Sequence, residues 1–164
     1  MDAPRLPNNH RTLALAPVRN LTFEGELDVR LQRSLRRILY RAAGVEMVGP
    51  DESGLLLTLE IHKLDLVRAR SIDSSQVLLL NYQIAGTITL KEQASGKLLI
   101  DKQPLALNTR YDLPRADIET PAVRDDALNG VMDKFAEAIV AQLLVNFNPQ
   151  DRQPPKPPAP QPGT

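Results

Sequence analysis

The residues with chemistry to offer are few, and most of them are cations. The only two histidines are His10 and His62, and cysteine is absent, so thiolate nucleophiles, Cys-ligated zinc, multi-histidine metal centres and disulfide frameworks are excluded together. His62 stands beside Lys63 and near Asp65. As a general base it would need an oriented partner and a pocket, and its mid-strand position reads more simply as an exposed or bulged residue. Asp125 and Asp126 could be a carboxylate pair. Neighbours on a helix diverge by about 100°, so they read better as acids in the first turns of a helix. Tyr111 with Asp112 ends a strand and reads as a rim aromatic. The eight glycines never cluster, so no glycine-rich loop can cradle a phosphate, and no nucleophile elbow or zinc-protease motif is present.

What remains is anion recognition. Arg68 and Arg70 flank Ala69 on a strand, which puts two guanidiniums on one face, where they could bracket a phosphate or carboxylate. Charges that discourage edge aggregation would look the same. Lys91, Lys97 and Lys102 lie near strand ends and turns. Arg30, Arg33, Arg37 and Arg41 make a stripe along a helix, either solvated or anion-contacting. These cations are balanced overall: 20 Lys+Arg against 20 Asp+Glu give no net charge, which disfavours a nucleic-acid binder that works through a global positive field. Aromatics are 4% of the chain with no Trp, which weakens base-stacking and sugar-stacking functions.

The elements that must position these groups are legible from periodicity. Leu13 to Arg19 reads as a first strand, with Pro17 at an edge or near an end, and Asn20-Leu21-Thr22 as a turn into a helix; it also matches a glycosylation sequon. Leu27, Leu31, Leu35, Ile38 and Leu39 give one apolar face to a helix over 24–43, closed by Gly44. Val45 to Val48 is a short strand. Leu55, Leu57, Leu59 and Ile61 share a strand face, but beyond His62-Lys63 the pattern moves to Leu64 and Leu66. A change of parity predicts a β-bulge, in a strand that continues toward Arg70. Two further long strands follow, over 77–92 and 98–111, joined by a turn at Ala94-Ser95-Gly96-Lys97, the second shifting phase around Pro104. After a loop over 112–120, Pro121 opens a final helix with Val123, Ala127, Leu128, Val131, Phe135, Ala138, Ile139 and Leu143 on its buried stripe.

The expected fold class is α+β, with two helices on one face of a curved, mostly antiparallel sheet of long strands in the order β-α-β-β-β-β-α. The domain is expected over 12–147, between a flexible lead-in over 1–11 and a disordered tail over 148–164, where seven of the 14 prolines fall. That tail is a spacer or a docking peptide. No apolar run reaches the roughly 18 residues of a spanning helix. With no site pointing to catalysis and none to a cofactor or metal, the sequence favours a non-enzymatic role.

The folded segment resembles the outer-membrane lipopolysaccharide-assembly lipoprotein family, LptE. The resemblance is carried by Leu15-Ala16-Pro17-Val18-Arg19-Asn20-Leu21-Thr22, the helix through Leu39, Leu55-Leu56-Leu57-Thr58-Leu59-Glu60-Ile61, Asn81-Tyr82-Gln83-Ile84, Leu99-Ile100-Asp101-Lys102, Asn108-Thr109-Arg110-Tyr111-Asp112, and the closing helix through Ala136-Glu137-Ala138-Ile139-Val140. It covers about 135 of the 164 residues and rests on element order rather than on a signature motif. The resemblance implies a periplasm-facing lipoprotein of the outer membrane. Such a protein is a plug-like partner of a large β-barrel translocon, contacts lipopolysaccharide, and needs no cofactor and no nucleic acid. It also implies membrane association through an N-terminal lipid anchor on a cysteine, a residue absent from these 164 positions. Basic residues near strand ends make lipopolysaccharide contacts in this family, and on chemical grounds Arg68, Arg70, Lys91, Lys97 and Lys102 are the candidates here. A generic periplasmic lipoprotein domain that recognises a soluble protein or cell-wall component is the alternative.

Overall fold

The computed structural model describes residues 3–70, 78–113 and 120–145, with 69, 70, 78, 112 and 113 described in their backbone alone. The expected tail over 148–164 and most of the expected loop over 112–120 lie outside the described residues. The chain forms β1 (Thr12–Leu15), β2 (Arg19–Asn20), α1 (Leu27–Ala43), β3 (Glu46–Met47), β4 (Leu55–Arg70), β5 (Leu78–Glu92), β6 (Leu98–Leu113) and α2 (Pro121–Leu143). This is the expected α+β order, with the first strand divided in two.

Pro17 causes the division. The first strand runs parallel to β4 up to Leu15↔Leu57 and resumes at Arg19↔Glu60, so one residue too many sits between the two pairings. Proline has no amide to give a ladder, and the surplus residue lets it bow out. The sheet order is β3-β1-β4-β5-β6, with β2 beside β4. The β1–β3, β1–β4 and β2–β4 pairings are parallel, whereas the long β4–β5–β6 meander is antiparallel.

The bulge expected near His62 is present, between Ile61 and Lys63 in register with Gly86 and Ala85. It keeps Leu64 and Leu66 on the face that Leu57, Leu59 and Ile61 began, opposite Ile84 and Tyr82. The phase shift expected around Pro104 falls just before it. The β5–β6 register slips between Ile88 and Leu90, and Lys102 takes φ 41°. Pro104 itself sits in β6, the edge strand, where a missing donor is tolerated.

The helices cover one face of this sheet. Leu27, Leu31, Leu35 and Leu39 of α1 and Val131, Met132, Ala136 and Ile139 of α2 are wholly buried against Leu55, Leu57, Ile61, Ile88 and Leu90. Helix α1 starts at Leu27, not Glu24, because the Asn20 side chain holds the preceding turn closed and Glu26 takes a left-handed φ of 64°. Its far end closes as expected. Gly44, at φ 62°, donates to Tyr40 O and Val45 donates to Leu39 O, a left-handed ending that a Cβ would strain. In α2 the Thr120 hydroxyl caps Val123 N at 3.2 Å.

A polar seam runs between the helices. Arg30 donates to Asp125 Oδ1 at 2.7 Å and Asn129 Oδ1 at 2.6 Å, while Ser34 and Arg37 both donate to Asp133 Oδ1. Asp125 is therefore an interhelical partner rather than only a helix-start acid. The arginine stripe divides accordingly, Arg30 and Arg37 bonding to α2 while Arg33 and Arg41 stay exposed without an ion pair among the described residues. Asp133→Ala is expected to cost about 1–3 kcal/mol, because it strands the buried Ser34 hydroxyl and the Arg37 guanidinium. Urea unfolding with an unchanged midpoint would refute this.

Residues 3–11, expected as a flexible lead-in, are docked. Leu6 is 0% exposed, and Arg5 exchanges backbone hydrogen bonds with Val145 at 3.1 and 2.7 Å. Glu92 holds the strap from the sheet side. It accepts from Asn8 Nδ2 at 3.0 Å and Ser95 Oγ at 2.7 Å, and His10 Nε2 lies 3.0 Å from it. These bonds, from His10 first, then Asn8 and Ser95, bring the Glu92 carboxyl down from 4.5 to about 2. A depressed carboxyl pKa means stability that is full above the unfolded value and is lost as pH falls through the folded one. The Tm difference between the wild type and Glu92→Gln should therefore shrink between pH 4.5 and 2. A difference that stays constant over that window would mean the carboxylate does not hold the strap.

Candidate binding cleft

Past Ile61 the sheet loses its neighbour on one side. Leu21 N donates to Ile61 O at 2.9 Å, and beyond that bond no strand among the described residues pairs with β4 on the β2 side. The turn between β2 and α1, the free stretch of β4 and the first turns of α2 enclose a cleft of about 460 Å³ there. Its apolar lining comes from Leu21, Phe23, Leu64, Leu66, Tyr82 and Leu128. Its cations are Lys63, Arg68 and Arg124, against Glu24 and Asp65. The balance of these charges is positive.

The turn that forms one wall is built to hold its shape. Asn20 Oδ1 accepts from Thr22 N at 3.1 Å and Thr22 Oγ1 at 2.6 Å, and Asn20 Nδ2 donates to Glu24 O at 2.6 Å. The sequon asparagine thus spends its amide inside the turn. Arg124 reaches from α2 to Glu24 Oε2 and ties the turn to the second wall. The result is that Leu21 is 51% exposed and Phe23 is exposed completely. A phenylalanine side chain in water forgoes about 1.5–3 kcal/mol of burial, and here a rigid turn keeps it there. Asn20→Ala is expected to speed amide exchange at residues 21–24 while global stability falls by about 1 kcal/mol. Unchanged exchange would mean that the turn is held by something else.

Of the five cations read from the sequence, Arg68 lines this cleft. Arg70 follows two residues on, in register with Leu78, and its side chain lies outside the described residues. Lys91, Lys97 and Lys102 are at the other end of the meander, since Lys91 pairs with Leu56. At about 3.3 Å per residue, the stretch from Leu56 to Arg68 separates the two groups by roughly 40 Å. All three lysines are exposed and make no ion pair among the described residues. Register thus sets the lysines far from Arg68, which shares the cleft with Lys63 and Arg124 instead. His62, the bulged residue, is exposed, with Nε2 3.3 Å from Thr87 Oγ1 and 3.5 Å from Glu60 Oε2.

Sequence reasoning passed over Leu21, Phe23, Arg124 and Leu128. The signal available was Phe23 itself, one of three phenylalanines in the chain, placed in a polar turn outside the helix period.

No family model and no curated protein matches the chain. Solved structures do. The hypothetical protein CT253 from Chlamydia trachomatis is similar at TM-score 0.52 and 12% identity, over 80% of this chain and 94% of that one. PelC from Paraburkholderia phytofirmans, solved as a dodecamer, is similar at TM-score 0.52 and 9% identity, over 88% of this chain and 96% of that one. A minor lipoprotein from Acinetobacter baumannii aligns at TM-score 0.48 and 18% identity, over 80% and 91%. At such identities the first two establish a shared fold and leave function to the site.

Proposed function

We propose that the protein is a non-enzymatic component of the outer-membrane lipopolysaccharide assembly machinery, a lipid-anchored, plug-like partner of a large β-barrel translocon on the periplasmic face. The sequence resemblance supplies the system, and the element order agrees with it. The observation that carries the reading is the cleft beside Phe23, where an exposed apolar wall stands next to Lys63, Arg68 and Arg124. Lipopolysaccharide has the same two-part chemistry, acyl chains joined to phosphorylated sugars. Acyl carbon placed against Leu21, Phe23 and Leu66 would leave water, and phosphate would meet guanidinium groups suited to bidentate contact. A plug inside a barrel lumen must also keep its outline, which the long β4–β5–β6 meander with two helices on it does.

The test is recovery of the partner. The full-length precursor, tagged at its C-terminus and extracted from native membranes in mild detergent, should bring down one large β-barrel protein in near-equal amount. Recovery of a soluble partner alone, with the lipid anchor intact, would sink the plug reading in favour of a periplasmic lipoprotein domain that recognises a soluble protein or cell-wall component.

A further inference from the structure

Helix α1 holds five of the chain's 14 arginines, none of its six lysines and no glutamate. The core takes Leu27, Leu31, Leu35 and Leu39, and the seam with α2 takes Arg30 and Arg37. The side turned furthest from the core carries Val29, Arg33, Arg36 and Tyr40, at the i, i+4, i+7, i+11 spacing of one helical stripe. Val29 is 50% and Tyr40 62% exposed, and Arg33 and Arg36 are exposed with no ion pair among the described residues. A shallow groove of about 420 Å³ runs between the arginine side chains beside Val29 and Gln32. No acidic side chain lines it.

We infer that this stripe is a docking surface for an acidic segment of a second protein, laid along α1. Charge complementarity supports that occupant. In a chain with no net charge, two neighbouring guanidiniums have no carboxylate partner among the described residues, one helical turn apart and flanked by apolar ground. Arginine and tyrosine without lysine or glutamate is the composition of a protein interface centre. Arginine, unlike lysine, clamps carboxylates with two parallel hydrogen bonds. A lipid surface fits less well. An interfacial helix needs a free apolar face, and here that face is consumed by the core. The stripe spans about 17 Å at 1.5 Å per residue, room for a short acidic strand or a few helical turns. It lies on α1 and does not use the Phe23 cleft, so the inference stands whether or not the lipopolysaccharide reading does.

The test places a photo-crosslinking amino acid at Val29 or Tyr40 of the full-length precursor in its native cells. The expected result is a crosslink to another protein, mapped to a peptide with Asp or Glu. It should fall at least tenfold in the double variant Arg33→Glu/Arg36→Glu, and return when the mapped carboxylates are changed to lysine. The neutral pair Arg33→Gln/Arg36→Gln, with an unchanged melting curve, guards against misfolding and should lower the crosslink too. Crosslinking to lipid or lipopolysaccharide, to another copy of this chain, to nothing, or to a protein regardless of the charge reversal would each overturn the inference.

Discussion

Gly86→Ala is expected to destabilise the domain by about 3 kcal/mol, the upper end of the usual cost of overpacking. A Cβ at residue 86 would stand 2.1 Å from the carbonyl oxygen of Glu60 and 3.2 Å from Phe135 Cζ. The first contact is with backbone, which has no rotamer to change. It arises because the bulge at His62 sits opposite, with Ile61 still paired to Gly86 and Lys63 already paired to Ala85. The second contact is with a ring that is 2% exposed at the centre of the core. Relief requires β4 and β5 to separate or the bulge to move, and moving the bulge would turn Leu64 and Leu66 to the other face. In a domain of this size the penalty is roughly a 10 °C fall in Tm. Gly25→Ala is the control, since a Cβ there meets nothing within 4 Å. Equal melting of the two variants would mean that the strands are not packed as described.

Phe23→Asp is expected to do the opposite, leaving stability within about 0.5 kcal/mol of the wild type, as for an exposed site, while removing function. Nothing in the fold rests on this ring, because it is completely exposed. If the ring is buried by an acyl chain on binding, about 1.5–3 kcal/mol is lost with it. That is a fall of roughly ten- to a hundredfold in affinity for lipopolysaccharide, and the new carboxylate beside Lys63 and Arg124 adds repulsion of phosphate. Lys97→Glu, at the far end of the meander, should have little effect on binding at the cleft. A Phe23→Asp variant that binds lipopolysaccharide normally would remove the cleft from the account, and one that melts early would show that the ring is structural.

Features of the fold that depend on local period were legible in the sequence. The faces of both helices, the three long strands and the bulge all announce themselves as spacings of Leu and Ile, and the parity change at His62 had one physical reading. Features that depend on a single residue meeting a distant one were not. Leu6 is one leucine among proline, arginine and asparagine, with no period to mark it, yet it is wholly buried. Glu92, which pins the strap through Asn8 and His10, lies more than eighty residues away in the chain. The cleft escaped for the same reason, since Phe23, Leu66 and Leu128 come from three parts of the chain that only the tertiary fold assembles. The cation set named from sequence was chosen by charge and strand position, and register alone shows that it falls into two groups at opposite ends of the meander.

The most direct test of the central claim, that the cleft beside Phe23 holds lipopolysaccharide in transit, is a photo-crosslinking amino acid placed at residue 23 in living cells, with the product probed for lipopolysaccharide. The account predicts a lipopolysaccharide adduct at residue 23 and none when the same group replaces Lys97. Adducts to protein alone at residue 23, or lipopolysaccharide adducts at Lys97 and not at Phe23, would contradict it.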